Sequence, residues 1–193
     1  MGATKVNAKS ETAAKRRQQE GLEELQIEEP QPAMKTEPQR EHEWLQQLVG
    51  EWTFEGEALM APGQPREKFS GTESVRPLGE LWILAEGESE MPEGGPAGMI
   101  MTLGYNPQRR RFVGTFITSM MTHLWVYDGS LDAAEEVLTL NTEGPDMSAA
   151  GKMAKFKDVI ELQSDDHRVL TSYILGDDGK WHEVMTAHYY RRT

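Results

Sequence analysis

The sequence predicts an all-β protein, an antiparallel meander of about ten short strands closing into a barrel, with one short helix ahead of the first strand. Three observations predict it. From Glu51 the apolar residues fall into a period of two, with Trp52, Phe54, Gly56 and Ala58 alternating against Glu51, Thr53, Glu55 and Glu57. Similar runs recur to the C-terminus, separated by turn chemistry such as RPLGE, YNPQRR, GPDMSAAG and GDDGK. No separator is long enough for the helical crossover that parallel strands require.

Taken in order, the elements begin with a segment that does not belong to the fold. Residues 1–37 read as a disordered tail and linker: Leu22, Leu25 and Ile27 are the only large apolar residues between Ser10 and Glu28, and EEPQPAMKTEP follows with three prolines. Residues 38–193 form the barrel domain. Its entry is EHEWLQQLVGEW, where Trp44, Leu45, Leu48 and Val49 make one apolar stripe on a short helix and Gly50 is placed to stop it. That helix should cap the barrel. Strands are then expected from Glu51, and near 66–76, 80–91, 97–105, 110–119, 122–129, 135–142, 153–162, 166–175 and 180–191.

Composition narrows the function classes. The 193 residues are enough for one ordinary domain and a tail, and the absence of cysteine excludes disulfides, thiolate metal sites and a cysteine nucleophile. Residues 1–40 hold seven basic and seven acidic residues, so the whole excess of −12 falls on the remainder, which has 13 basic and 25 acidic residues. Such a surface repels phosphate backbones and anionic lipid, so neither nucleic acid nor a membrane is the expected partner. Met1 to Glu20 has no apolar run behind its lysines, which reads as a cytoplasmic protein without a secretory signal.

Several motifs carry a resemblance. LVGEW, LGYNPQRRRFVGTFITSM, LTLNTEGP, DVIEL and DDGKWHEVMTAHYYRR, in this order, resemble the bacterial domain-of-unknown-function family 1579 of the calycin-like, or lipocalin-like, barrel group. The likeness runs from Glu41 to the C-terminus. It implies a calycin-like barrel, and relatives of that group include lipocalins, fatty-acid-binding proteins and haem-binding nitrobindins. Ligand binding is therefore the implied activity; no cofactor is expected, and haem is the less favoured alternative. The resemblance also implies that Trp52 packs against a basic side chain of the last strand, Arg191 or Arg192, and so closes the barrel. At Phe116 to Met120 the chain reads FITSM, with Thr118 where the family pattern has an acid.

The site candidates follow from strand parity and residue type. Phe112, Gly114, Phe116, Thr118 and Met120 share one strand face, the candidate interior. If that interior is hollow, Phe54, Phe116, Met120 and Met185 are its expected wall, since aromatic and methionine side chains accommodate irregular apolar ligands; Met99, Met101 and Met153 add to the same character. A barrel of this size either fills with side chains, the plainer expectation for such a face, or leaves room for one small ligand. The expected partner is a small apolar molecule. Set against this are an enzyme, a hydrolase or isomerase with a polar cluster at the barrel mouth, and a haem protein with His188 or His182 as axial ligand.

Neither catalytic nor metal residues are marked. His182 and His188 share a face but stand roughly 20 Å apart at strand rise, too far for one metal. Glu86, Glu88 and Glu90 occupy alternate positions and are expected to face water. GDDGK at Gly176 to Lys180 reads as a hairpin turn, and no GxSxG, Walker loop, GxGxxG or HExxH occurs.

Overall fold

A computed structural model describes residues 36–59, 63–91, 95–146 and 151–192. The expected tail, residues 1–37, lies outside the described residues except for its last two, and every described element belongs to the unit Pro38–Thr193. A helix α1 (Arg40–Gln46) leads into β1 (Gly50–Ala58), β2 (Glu67–Leu78), β3 (Trp82–Met91), β4 (Gly95–Asn106) and β5 (Arg111–Thr118). The second half is β6 (Trp125–Leu131), β7 (Val137–Pro145), β8 (Met153–Ser164), β9 (His167–Leu175) and β10 (Trp181–Arg191).

Each strand pairs antiparallel with the next, and β1 pairs with both β2 and β10, so the ten strands form a closed barrel. Closure leaves no unpaired sheet edge, which is how a meander of this length avoids an exposed template for aggregation. The β1–β10 register sets Trp52 opposite Arg191 and Phe54 opposite Tyr189. Across β1 and β2, Trp52 faces Glu73 and Phe54 faces Gly71. Burial follows the period of two: Trp52 and Phe54 are buried while Glu51, Thr53 and Glu55 are exposed, and on β7 Leu138, Leu140, Thr142 and Gly144 point inward.

Several expected boundaries shift by two or three residues, among them the end of β7 at Pro145 rather than near 142, and two differences have a visible cause. The helix ends at Gln46, four residues before Gly50, and Gly50 is instead the first residue of β1 with φ +141°. Strand β6 begins at Trp125 rather than near 122, because the chain turns after Thr118 with Met121 N–H donating to the Thr118 carbonyl at 3.3 Å.

α1 stands at one end of the barrel and fills it. Its start is capped by Gln39 and by His42, whose Nδ1 accepts from the Gln39 N–H at 2.9 Å. The ring proton is therefore on Nε2, which donates to the Tyr105 carbonyl at 3.2 Å. Trp44, Leu45 and Leu48 are buried, and the Trp44 indole donates to the Glu135 carbonyl at 2.7 Å. They meet Trp52, Val75, Ile83, Leu103, Phe112, Leu138 and Ile160, which with Leu140 and others form a continuous core. That end of the barrel is packed. No described helix is long and apolar enough to cross a membrane.

Candidate ligand cavity

The half of the barrel away from α1 is hollow. A cavity of about 310 Å³ is walled by Phe54, Phe69, Phe116, Trp125 and Phe156, with Met99, Met101 and Met185 among them. The β-bulge between Glu183 and Met185 turns both Val184 and Met185 onto this wall, where regular alternation would present one of the two. Broader hollows on the outer faces, one of about 990 Å³ bordered by Glu55, Glu57, Glu90 and Glu183, are open to water.

The wall also carries polar groups. Asp158 of β8 accepts from the Tyr127 hydroxyl at 2.5 Å through Oδ2 and from the Ser172 hydroxyl at 2.5 Å through Oδ1. It is half-buried and lines the cavity. Burial raises its carboxyl above the ordinary carboxylate value, opposed by the two hydroxyl donors. The Tyr127 phenol is held well above its usual value, first by burial and then by the charge of Asp158. Burial likewise raises Tyr189.

Deeper towards α1, Arg168 of β9 forms an ion pair with Glu73 of β2, both side chains nearly enclosed. The Arg168 guanidinium lies 4.6 Å from the Trp52 ring centroid and 4.4 Å from that of Tyr189. Four buried side-chain polar atoms have no hydrogen-bond partner among the described residues, Gln46 Nε2, Arg66 Nη1, Arg168 Nε and the Thr142 hydroxyl. Thr142 lines the cavity.

The residues singled out in the sequence are placed as follows. Phe54, Phe116 and Met185 line the cavity; Met120 also borders it, but from the turn beyond β5 and with 57% of its surface exposed, rather than from a strand face. Met99 and Met101 are on the wall, whereas Met153 is exposed at the start of β8. Arg191 lies 4.2 Å from the Trp52 ring centroid, while Arg192 is exposed past the end of β10. Thr118 is also on the cavity wall, so the interior carboxylates of this chain come from β2 and β8 instead.

His182 and His188 are not in the interior. His182 is exposed and bonds Asp178 at 2.9 Å. His188 shares the outer hollow with Glu55 and Glu57, and its Nδ1 is 3.1 Å from Nε2 of His167, in a stack that continues onto Tyr190. Neither ring reaches the cavity as an axial haem ligand would have to: strand parity sends His188 outward, and His182, beyond the bulge, is exposed and does not line the hollow. Glu86, Glu88 and Glu90 are exposed.

Sequence reasoning passed over Asp158, Tyr127, Ser172, Glu73 and Arg168. A signal existed: in KFKDVIEL, Asp158 occupies the same parity as Phe156 and Ile160, so it is a charge on the inward face. Arg168 bears the same relation to Leu170, and Glu73 to Val75.

Two solved structures are similar in fold. The crystal structure of Rv2717c from M. tuberculosis is 13% identical with a TM-score of 0.54, covering 81% of this chain and 100% of that one. The S-type phycobiliprotein lyase CPES from Guillardia theta is 14% identical with a TM-score of 0.51, covering 78% and 92%. At these identities the likeness is one of fold. No curated protein matches the chain. The family model described as "Protein of unknown function (DUF1579)" matches residues 37–191, nearly the whole barrel with its capping helix, and the chain belongs to that family.

Proposed function

We propose that the barrel binds a small, largely apolar molecule in its interior. The observation that carries this reading is the contrast between the two halves of one barrel. Beside α1 the interior is filled by buried tryptophan, phenylalanine and aliphatic side chains, while the other half leaves about 310 Å³ among aromatic and methionine side chains. Ligand sites are usually largely preformed, apolar and supplied with a few polar groups, and this hollow has all three properties. Phe54, Phe116, Met120 and Met185 are the contacts assigned to the guest. The acidic balance of the barrel domain supports a small molecule over nucleic acid or an anionic membrane surface.

An environment-sensitive apolar dye should bind with one-to-one stoichiometry, and Met185→Trp, which fills the hollow, should weaken that binding by about tenfold or more. Native mass spectrometry of the freshly purified protein should show a bound species. If no apolar dye binds saturably and no species co-purifies, the interior is a dry packing defect and the reading fails.

A further inference from the structure

The cavity is apolar on most of its wall and has an acceptor at one place. Asp158 receives one hydroxyl on each carboxylate oxygen, from Tyr127 and Ser172. A carboxylate has about four acceptor sites, so each oxygen retains capacity for another donor. Among the described residues no lysine or arginine pairs with Asp158, because the interior guanidinium, Arg168, is held by Glu73. On the neighbouring strand β7, the Thr142 hydroxyl is buried on the same wall without a partner, on a residue only 7% exposed. Buried polar groups are normally satisfied, and each one that is not weakens the empty protein. Both residues line one hollow.

The chemistry that would satisfy them is a donor. A carboxylate-headed guest such as a fatty acid would bring like charge to Asp158, and an alcohol would supply one neutral hydrogen bond. An ammonium group supplies several donors and the missing counter-charge. Resting on the reading of the cavity as a ligand site, we propose that its guest is an apolar amine whose nitrogen donates to the Asp158 carboxylate, with the Thr142 hydroxyl as a second polar contact. A cation beside Asp158 also opposes the effect of burial on that carboxyl, so amine binding releases a proton wherever Asp158 is protonated in the empty protein. The other titratable groups lining this interior are Tyr127 of β6, Tyr189 of β10 and the Glu73–Arg168 pair of β2 and β9. Both tyrosines are shifted upward and stay neutral across the range tested.

The test uses the full chain, with octylamine, 1-octanol and octanoate as head-group variants of one tail, each competing with the same dye. Octylamine should bind about tenfold more tightly than octanol, the ratio that one charge-assisted hydrogen bond supports, and octanoate more weakly than octanol. Asp158→Asn should bring octylamine to within about twofold of octanol. Because the variant keeps nearly all of the protein's net negative charge, nonspecific attraction of ammonium persists in it and is subtracted by the comparison. Circular dichroism verifies that the variant folds. Should it not fold, the wild-type protein decides: the amine-to-alcohol ratio must fall between about pH 8 and about pH 4, as Asp158 takes up its proton. An amine advantage that survives Asp158→Asn, a ratio independent of pH, or octanoate binding as tightly as octylamine overturns the proposal. If octanol and the dye bind but octylamine gains nothing, the head-group assignment alone is wrong; if none of them binds, the cavity reading falls with it.

Discussion

Arg191 joins three parts of the molecule through one guanidinium. Its Nη1 and Nη2 donate to the carbonyls of Val49 at 2.6 Å and Gln47 at 2.9 Å, Nε donates to the Asp165 carbonyl at 2.9 Å, and the plane lies over Trp52. The chain leaving α1 has carbonyls without helical partners, and a planar fork can reach two of them while covering an indole. Gly50 makes room: a Cβ there would lie 2.3 Å from Nη1, and φ +141° is in any case glycine territory. Lysine keeps the charge but loses the fork and the stack. Arg191→Lys should therefore lower the unfolding free energy by roughly 2 kcal/mol in urea denaturation, the loss expected for charged hydrogen bonds and a partly desolvated cation–π contact. Arg192→Lys, at an exposed position, should change it by less than about 0.5 kcal/mol. Equal effects from both substitutions would show that Arg191 does not tie the helix to the barrel. At this scale the inward parity of Phe54, Phe116 and Met185 was legible, because alternation is local. The partners of Arg168 were not, since Trp52, Glu73 and Tyr189 reach it only through the register of closed strands.

α1 shows what periodicity can and cannot supply to an element. The stripe of Trp44, Leu45 and Leu48 was legible, and all three are buried against the barrel core. The end of the helix was not, because the carbonyls of residues 47 and 49 are taken by Arg191, more than 140 positions away. The start of β6 failed for a different reason. MMTHLW, residues 120–125, carries no Asp, Glu, Lys or Arg and reads as the lead into a strand, yet Met120 and Leu124 are 57% and 52% exposed in the turn ahead of it, and the His123 ring stands edge-on to Trp125 at 4.9 Å. Apolar content alone does not distinguish a strand from the rim of an open barrel end. The two elements should differ sharply in energetic weight. Leu48→Ala empties a fully buried position under the helix and should cost about 3 kcal/mol, whereas Met120→Ala at the rim should cost under about 1 kcal/mol. Melting temperatures of the two variants measure this directly, and a Leu48→Ala protein as stable as wild type would mean that α1 is a loose cover instead of part of the core.

For the molecule as a whole, the meander was legible because short turn-forming separators leave adjacent antiparallel pairing as the simplest connection, and closure follows when β1 and β10 meet. The cavity was not legible, because it depends on volumes summed over facing strands, and the same residues could have filled it. Its polar pole gives the whole fold a pH dependence whose sign can be worked out. Asp158 titrates above the ordinary carboxyl value in the folded state, chiefly through burial, so the native protein holds that proton more tightly than the unfolded chain does. The resulting stability is fully present below the unfolded value of about 3.9 and is lost as pH rises through the folded value. Asp132 and Asp178 work in the opposite sense. Backbone donors led by Val137 lower the first and a bond from His182 lowers the second, so their contributions are present at higher pH and are lost as pH falls through their folded values. These groups are common to wild type and Asp158→Asn and cancel in the comparison. The unfolding free energy of wild type minus that of Asp158→Asn, followed by urea denaturation from about pH 4 upward, should decline and then level off once Asp158 is ionised in both states. A difference that grows with pH would mean that the folded barrel prefers the carboxylate, with Tyr127 and Ser172 outweighing burial; the empty cavity would then already satisfy Asp158, and the case for a donor-bearing guest would lose its physical basis.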